Sequence, residues 1–341
     1  MKKQLGHNDR LDFLDMLRAL AIFLVVIGHY KASFLPGGSI GVAIFFCLSG
    51  YLITNILLKE DAGFFNFIVR RFFRVYPPYF CICMFYLMLL YFFFPSDDFN
   101  NYLKALPGLI FFIKMPDKII GIGVSVFWTL HIEFWFYMLI PFLVLPLKKN
   151  KKMLYSCIIF LILVSFVIKF TNLLGGMPFP ESIMNTFRWM DNLLYGVVVA
   201  LAAKDISVKP SQGAGSKVVF GLILTMLILS ALFVPSKGNV WFLQASLASF
   251  LTAVLLFIYF KRRFDAGFYY PKVVLWVGLI SYSLYLTHGI PMDWREHLNL
   301  QRGLLKSVFV FLSLVFLPVL LHYFVEKPSI RIGKILSQKV G

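Results

Sequence analysis

Apolar residues run through this chain in repeated blocks of about 18–22, the length of helix that crosses a bilayer core. The first block is Leu11–Tyr30 (LDFLDMLRALAIFLVVIGHY). Read on this pattern, the spacing predicts ten helices, at 11–30, 39–58, 77–95, 125–147, 153–169, 186–203, 217–234, 240–260, 272–290 and 307–325. With the N-terminus inside, the inner segments are 1–12, 59–76, 148–152, 204–217, 261–272 and 326–341. These carry about twice the lysines and arginines of the outer side, as the positive-inside rule requires. The longest outer connection is 96–124. Its middle, Leu103–Lys114, is apolar but too short to span, and is expected to be a re-entrant or interfacial piece covered by protein. The expected fold is an all-α polytopic membrane protein. It is a bundle of about ten transmembrane helices with both termini cytoplasmic, and 1–341 forms a single integral-membrane domain. No cleavable leader and no appended soluble domain are expected.

Composition supports the membrane reading. Of 341 residues, 60% are hydrophobic and 14% charged, against about 25% charged in a soluble domain. The net charge of +17 would point to nucleic acid if it were clustered, but it follows the loops. It is therefore topological and lipid-facing. The four cysteines, Cys47, Cys81, Cys83 and Cys157, lie in apolar runs and read as packing residues. Neither a disulfide framework nor a metal site is indicated.

Against this background the ionisable residues inside helices stand out, because charge at membrane depth is costly. Arg18 and His29 are eleven residues apart. At about 100° per residue that is three turns plus roughly 20°, so they share one helix face, about 16 Å apart along the axis. An imidazole near the outer end is a candidate general base. Asp15, three residues before Arg18, offers an ion pair as a simpler account of that charge. Gly41 and Gly50 within Gly38–Thr54 make room for helix one or for a ligand.

Three further blocks carry chemistry. Arg70, Arg71 and Arg74 (FIVRRFFRVYPPY) sit at the predicted cytoplasmic mouth of the third helix. They are either a positive-inside cluster or a site for a polyphosphate, whose oxygens suit arginine forks. Trp128–Tyr137 (WTLHIEFWFY) places His131 and Glu133 near the outer face, with Tyr137 one turn beyond Glu133. Glu133 is a candidate to orient His29, and Trp128 and Tyr137 are cavity-lining or belt aromatics. In Ser281–His288 (SYSLYLTH), Ser281, Tyr285 and His288 form one polar stripe facing a bundle interior. His29, Glu133 and His288 are thus expected near the outer leaflet and the arginines at the inner end. That separation fits a group carried across a membrane and transferred on the far side. It also fits a non-enzymatic transporter or flippase of an anionic or glycan substrate, although no inverted repeat is visible.

Taken together, these blocks resemble the acyltransferase-3 family, which includes bacterial O-antigen and exopolysaccharide O-acetyltransferases and Nod-factor acetyltransferases. The resemblance rests on the Arg18/His29 spacing, FFCLSGYLIT, RRFFRVYP, WTLHIEFWFY, ISYSLYLTH and Glu326-Lys327-Pro328. It covers essentially the whole chain. It implies transfer of an acyl group, usually acetyl, from cytoplasmic acyl-CoA to a hydroxyl of a cell-surface or lipid-linked carbohydrate. It also implies a bacterial inner-membrane location and no metal. His29 would be catalytic and Arg18 its partner, with Arg70, Arg71 and Arg74 near the CoA phosphates. Three departures are visible. Ala43 stands where the family commonly has Asp, Phe134 follows Glu133 where a second acid is usual, and His131 replaces a serine. They point to an atypical acceptor.

Overall fold

The structure, a computed structural model, describes residues 7–30, 38–59, 63–113, 126–175, 181–205, 214–233, 241–262, 270–292 and 303–340. Every regular element among them is helical. In chain order these are α1 (His7–Tyr30), α2 (Ser39–Leu57), α3 (Phe64–Phe93), α4 (Ser96–Ile110), α5 (Trp128–Leu147), α6 (Lys151–Leu173) and α7 (Glu181–Asp205). They continue as α8 (Ala214–Phe233), α9 (Trp241–Arg262), α10 (Lys272–Leu279), α11 (Ser281–Thr287) and α12 (Leu304–Leu321). A π-helical turn (His322–Glu326) then leads into α13 (Lys327–Val340). Seven of the described helices are long and apolar enough to cross a membrane, or up to eight if the broken pair α10 and α11 is counted as one span. Among the described residues the protein is therefore all-helical, with multiple membrane-spanning candidates.

The chain forms two compact units, each discontinuous in sequence. Unit one comprises Met1–Asp61 and Ile140–Leu279, and unit two comprises Ala62–Leu139 and Ile280–Gly341. In unit one, α2 packs against α1, α7 and α9. The approach of α2 to α7 is backbone to backbone. A Cβ on Gly50 would be driven into the Leu193 carbonyl, and one on Gly196 into the Cys47 carbonyl. Gly41 is closed in the same way by the Ala21 carbonyl of α1. The space expected for helix one or a ligand is thus taken by two helices. Small residues permit this contact in lipid, where dispersion and interhelical hydrogen bonds hold helices together. Gly50→Val is expected to cost about 1–3 kcal/mol or more through overpacking. It should lower the melting temperature in detergent, whereas Gly221→Val, with nothing within 4 Å, should not.

Elsewhere in unit one, Phe13 stacks on Tyr259 and Tyr51 on Phe260, joining α1 and α2 to α9. Trp189, 1% exposed, packs edge-on to Phe46 and Phe242. The outer surface is apolar instead. Ile159, Phe160, Leu163, Val167 and Phe170 of α6 are all exposed. An apolar exterior over polar buried residues is the arrangement lipid demands.

In unit two, α3 begins at Phe64, thirteen residues before the start expected at 77. Pro77-Pro78 reads as a helix N-terminus because proline suits the first turn. Here both prolines lie inside the helix, where they remove bonds to the Phe73 and Arg74 carbonyls. The neighbouring Val75 carbonyl accepts the Tyr282 hydroxyl at 2.7 Å. The helix therefore carries Arg70, Arg71 and Arg74 on its own first three turns, not on a loop. Of the apolar piece inside 96–124, the part up to Ile110 belongs to α4, and this helix is pinned to α3 by two tyrosines. Tyr79 Oη donates to the Leu109 carbonyl at 3.0 Å, and Tyr102 Oη to the Cys83 carbonyl at 3.1 Å. The helix expected over 272–290 is interrupted at Ile280, where the chain passes from one unit to the other.

Candidate active site

Unit one carries the Arg18/His29 pair. Unbroken α1 runs through both residues, so they share a face as the spacing requires. His29 is exposed at the C-terminal end of the helix. Arg18 Nη1 lies 2.5 Å from Asp15 Oδ1, and both side chains are 19% exposed. The local ion pair is therefore present. Beside this pair α10 packs on α1, where Gly278 meets the Asp15 backbone.

A second polar group in unit one was not legible as a site. Lys169 Nζ lies 2.6 Å from Asp191 Oδ1, with the two side chains 1% and 0% exposed. Asn192 Nδ2 donates to the same oxygen at 3.2 Å, Ser165 Oγ lies 3.1 Å away, and Lys169 also donates to Ser246 Oγ. Ser249 Oγ sits between Asn192 Oδ1 (2.7 Å) and the Ala43 carbonyl (2.9 Å). Arg188 Cζ stands 5.0 Å from the Phe242 ring centroid. This network ties α6, α7 and α9 together, and reaches α2 at Ala43. The sequence signal was available in principle, as two ionisable residues in membrane helices. Their pairing is a matter of packing across 22 positions.

Unit two holds the remaining candidates, and here the expected layout changes. Tyr137 Oη donates to Glu133 Oε2 at 2.8 Å, and the Arg71 Cζ lies 5.5 Å from the Tyr137 ring centroid. Arg74 and Glu133 also lie within electrostatic reach of Tyr137. Arg71 and Glu133 thus meet at one tyrosine instead of occupying opposite ends of a bundle. The reason is the early start of α3, which carries Arg71 alongside the middle of α5. Arg71 is buried, Arg74 is half-buried and Arg70 is exposed. The three arginines therefore occupy different environments. Arg70 donates from Nε to Ser337 Oγ of α13 at 2.8 Å.

The polar stripe of α11 is inside unit two. Ser281, Tyr285 and His288 are all buried. Thr129 Oγ1 donates to Tyr285 Oη at 2.9 Å, and Tyr285 Oη donates to the Val126 carbonyl at 2.8 Å. His288 Nδ1 donates to the Tyr285 carbonyl at 2.7 Å, so this ring is held by its own helix. Trp128 is half-buried at the start of α5. Next to this stripe lies a group outside the expected set. Ser283 Oγ donates to Glu326 Oε2 at 2.6 Å and His322 Nδ1 to the same oxygen at 2.9 Å, on the π-helical turn. Ser283 lies off the Ser281/Tyr285/His288 stripe, and Glu326 was visible only as part of Glu326-Lys327-Pro328.

His29 and Arg18 belong to one unit, and Glu133, His288 and the arginines to the other. The structure gathers Arg71, Glu133 and Tyr137, and separately Thr129, Tyr285 and His288. The observed partner of Glu133 is Tyr137. Among the described residues no three His, Cys, Asp or Glu side chains converge as metal ligands.

Similarity to known proteins bears on these residues as a set. The peptidoglycan O-acetyltransferase OatA of Listeria monocytogenes is 31% identical over 305 residues, covering 81% of this chain and 48% of that protein. The O-acetyltransferase OatA of Staphylococcus aureus is 27% identical over 304 residues, covering 81% and 49%. The chain spans about half the length of the curated relatives it matches. No solved structure matches. The profile of the acyltransferase-3 family, described as an acyltransferase domain, matches residues 11–324, a stretch that holds α1 with Arg18 and His29, the arginines of α3, Glu133 and His288. The chain belongs to that family.

Proposed function

We propose that this protein is a multi-pass O-acetyltransferase of the bacterial inner membrane, with both termini cytoplasmic. It takes an acyl group, acetyl in the first place, from cytoplasmic acyl-CoA and esterifies a hydroxyl of a cell-surface or lipid-linked carbohydrate. The observation that carries this reading is the Arg18/His29 pair on one unbroken helix face, within a chain of the acyltransferase-3 family. The printed name of the Listeria relative, a peptidoglycan O-acetyltransferase, supports a glycan acceptor.

The acceptor hydroxyl attacks the thioester carbonyl, forming the ester C–O bond and breaking the C–S bond. His29 takes the hydroxyl proton as general base and returns it to the CoA sulfur as the thiol leaves. Arg18 stabilises negative charge on the thioester oxygen or lines the path to it. Glu133, fixed by Tyr137 and near buried Arg71, supplies the acidic group of the second unit. Arg70 and Arg74 offer guanidinium forks to phosphate oxygens. Trp128, Tyr137, Ser281, Tyr285 and His288 line the polar interior. In this reading buried Arg71, over the Tyr137 ring, sits behind the other two arginines near the CoA phosphates.

Mass spectrometry of surface glycans tests the reading. A deletion strain is expected to lack an alkali-labile acetyl ester that the parent carries, and a plasmid copy of the gene should restore it. Identical glycans in both strains would contradict the proposed activity.

A further inference from the structure

The C-terminal helix holds Arg70, and the way it does so gives it a role. Both α3 and the run Val310–Lys339 are 30 residues long. At about 1.5 Å per residue each is roughly 45 Å, well beyond a core of about 30 Å. Their excess length pairs within unit two, since α13 lies along α3. On α13, Ser329, Gly333 and Ser337 recur every fourth residue and are all buried, with Gly333 against Phe73. A second face, Lys327, Arg331 and Lys334, is exposed and basic. A third, Ile332, Ile335 and Leu336, is exposed and apolar. This is the pattern of a helix at a membrane surface, one face on protein, one on lipid and one toward anions.

Ser337 is 0% exposed, and its hydroxyl both donates and accepts. Its O–H donates to the Lys334 carbonyl at 2.9 Å, and a lone pair receives Arg70 Nε at 2.8 Å across 267 residues of sequence. A guanidinium has five N–H donors in a rigid plane. With Nε held, the two terminal nitrogens form a fork of fixed direction on an exposed side chain. Lys334, one turn before Ser337, is a second exposed cation on α13.

We propose that Ser337 is a positioning residue for anion binding. It aims the Arg70 fork at a phosphate of the acyl-CoA donor. This rests on the acyl-CoA reading above. A lipid headgroup shares the phosphate chemistry, so the test separates the two sources.

The full-length protein is reconstituted in vesicles and assayed with acetyl-CoA and with S-acetylpantetheine, which has the same thioester and no phosphate. Ser337→Ala is expected to raise KM for acetyl-CoA roughly three- to tenfold, the cost of re-ordering one long side chain, with kcat unchanged. It should leave use of S-acetylpantetheine unaltered. In an Arg70→Lys background, which lacks Nε and the fork, Ser337→Ala should have no further effect on KM. The shift should be the same in zwitterionic vesicles and in vesicles containing anionic lipid. An unchanged KM for acetyl-CoA, or equal losses with both donors, overturns the role of Ser337. A shift confined to anionic vesicles assigns the phosphate to lipid and overturns the donor assignment. Wild-type protein that cannot use acetyl-CoA overturns the donor reading itself, and this inference falls with it.

Discussion

Replacing His29 with alanine is expected to lower acetyl transfer to the glycan by about 10²–10⁴-fold, the contribution of one well-placed general base. The protein should still accumulate in the membrane at the parental level. His29 is exposed at the end of α1, so its loss opens no cavity and leaves no buried charge. Ester-linked acetyl on surface glycans, measured beside an immunoblot of the membrane fraction, separates the two effects. Normal acetylation at normal protein level removes His29 from the mechanism. Arg18→Ala should be milder in transfer yet costlier in folding, because it leaves Asp15 without its ion-pair partner 2.5 Å away.

The second large effect concerns stability. Lys169→Met is expected to destabilise the protein by about 3–5 kcal/mol, since it leaves the Asp191 carboxylate buried without its cation. Asp191 is 0% exposed and receives its other donors on the same oxygen, so water cannot replace the ammonium cheaply. Reduced membrane accumulation and a lower melting temperature in detergent are the readouts. Lys169→Met with Asp191→Asn removes both charges and should recover most of the loss. Equal stability of the single and the double variant would show that the pair does not hold α6, α7 and α9 together.

The helices were legible because their lengths are set by the bilayer, and the apolar blocks mark them plainly. Where the reading slipped, a local signal outweighed a tertiary one. Pro77-Pro78 marks a helix start by local rules. The aromatic segment Phe64–Tyr76 is helical because α13 packs along it and Tyr282 caps a neighbouring carbonyl. That difference moved Arg71 from a loop to the side of Tyr137. The Arg18/His29 face was readable because it depends only on helical period. The meeting of Arg71 with Glu133 was not, because it depends on the register of α3 against α5. The buried pair Lys169–Asp191 joins two helices across 22 residues of sequence, whereas His322–Glu326 lies within one helical turn. Lys169 and Asp191 are each visible as costly in a membrane, but only packing says that one answers the other. At Gly50 the expected alternatives were helix one or a ligand, and the backbone of α7 fills the space instead, a choice that depends on packing.

In the proposed reaction one chain moves an acetyl group from a CoA thioester to a carbohydrate hydroxyl across a bilayer, through His29. It is tested most directly with purified protein in sealed vesicles. Acetyl-CoA labelled in the acetyl group is supplied on the face bearing the termini, and a glycan acceptor on the other. The account predicts labelled ester on the glycan and one free CoA thiol per ester formed, with both lost in His29→Ala vesicles. Equal labelling by wild type and His29→Ala, or passage of unlabelled glycan across the vesicle without CoA release, would contradict it.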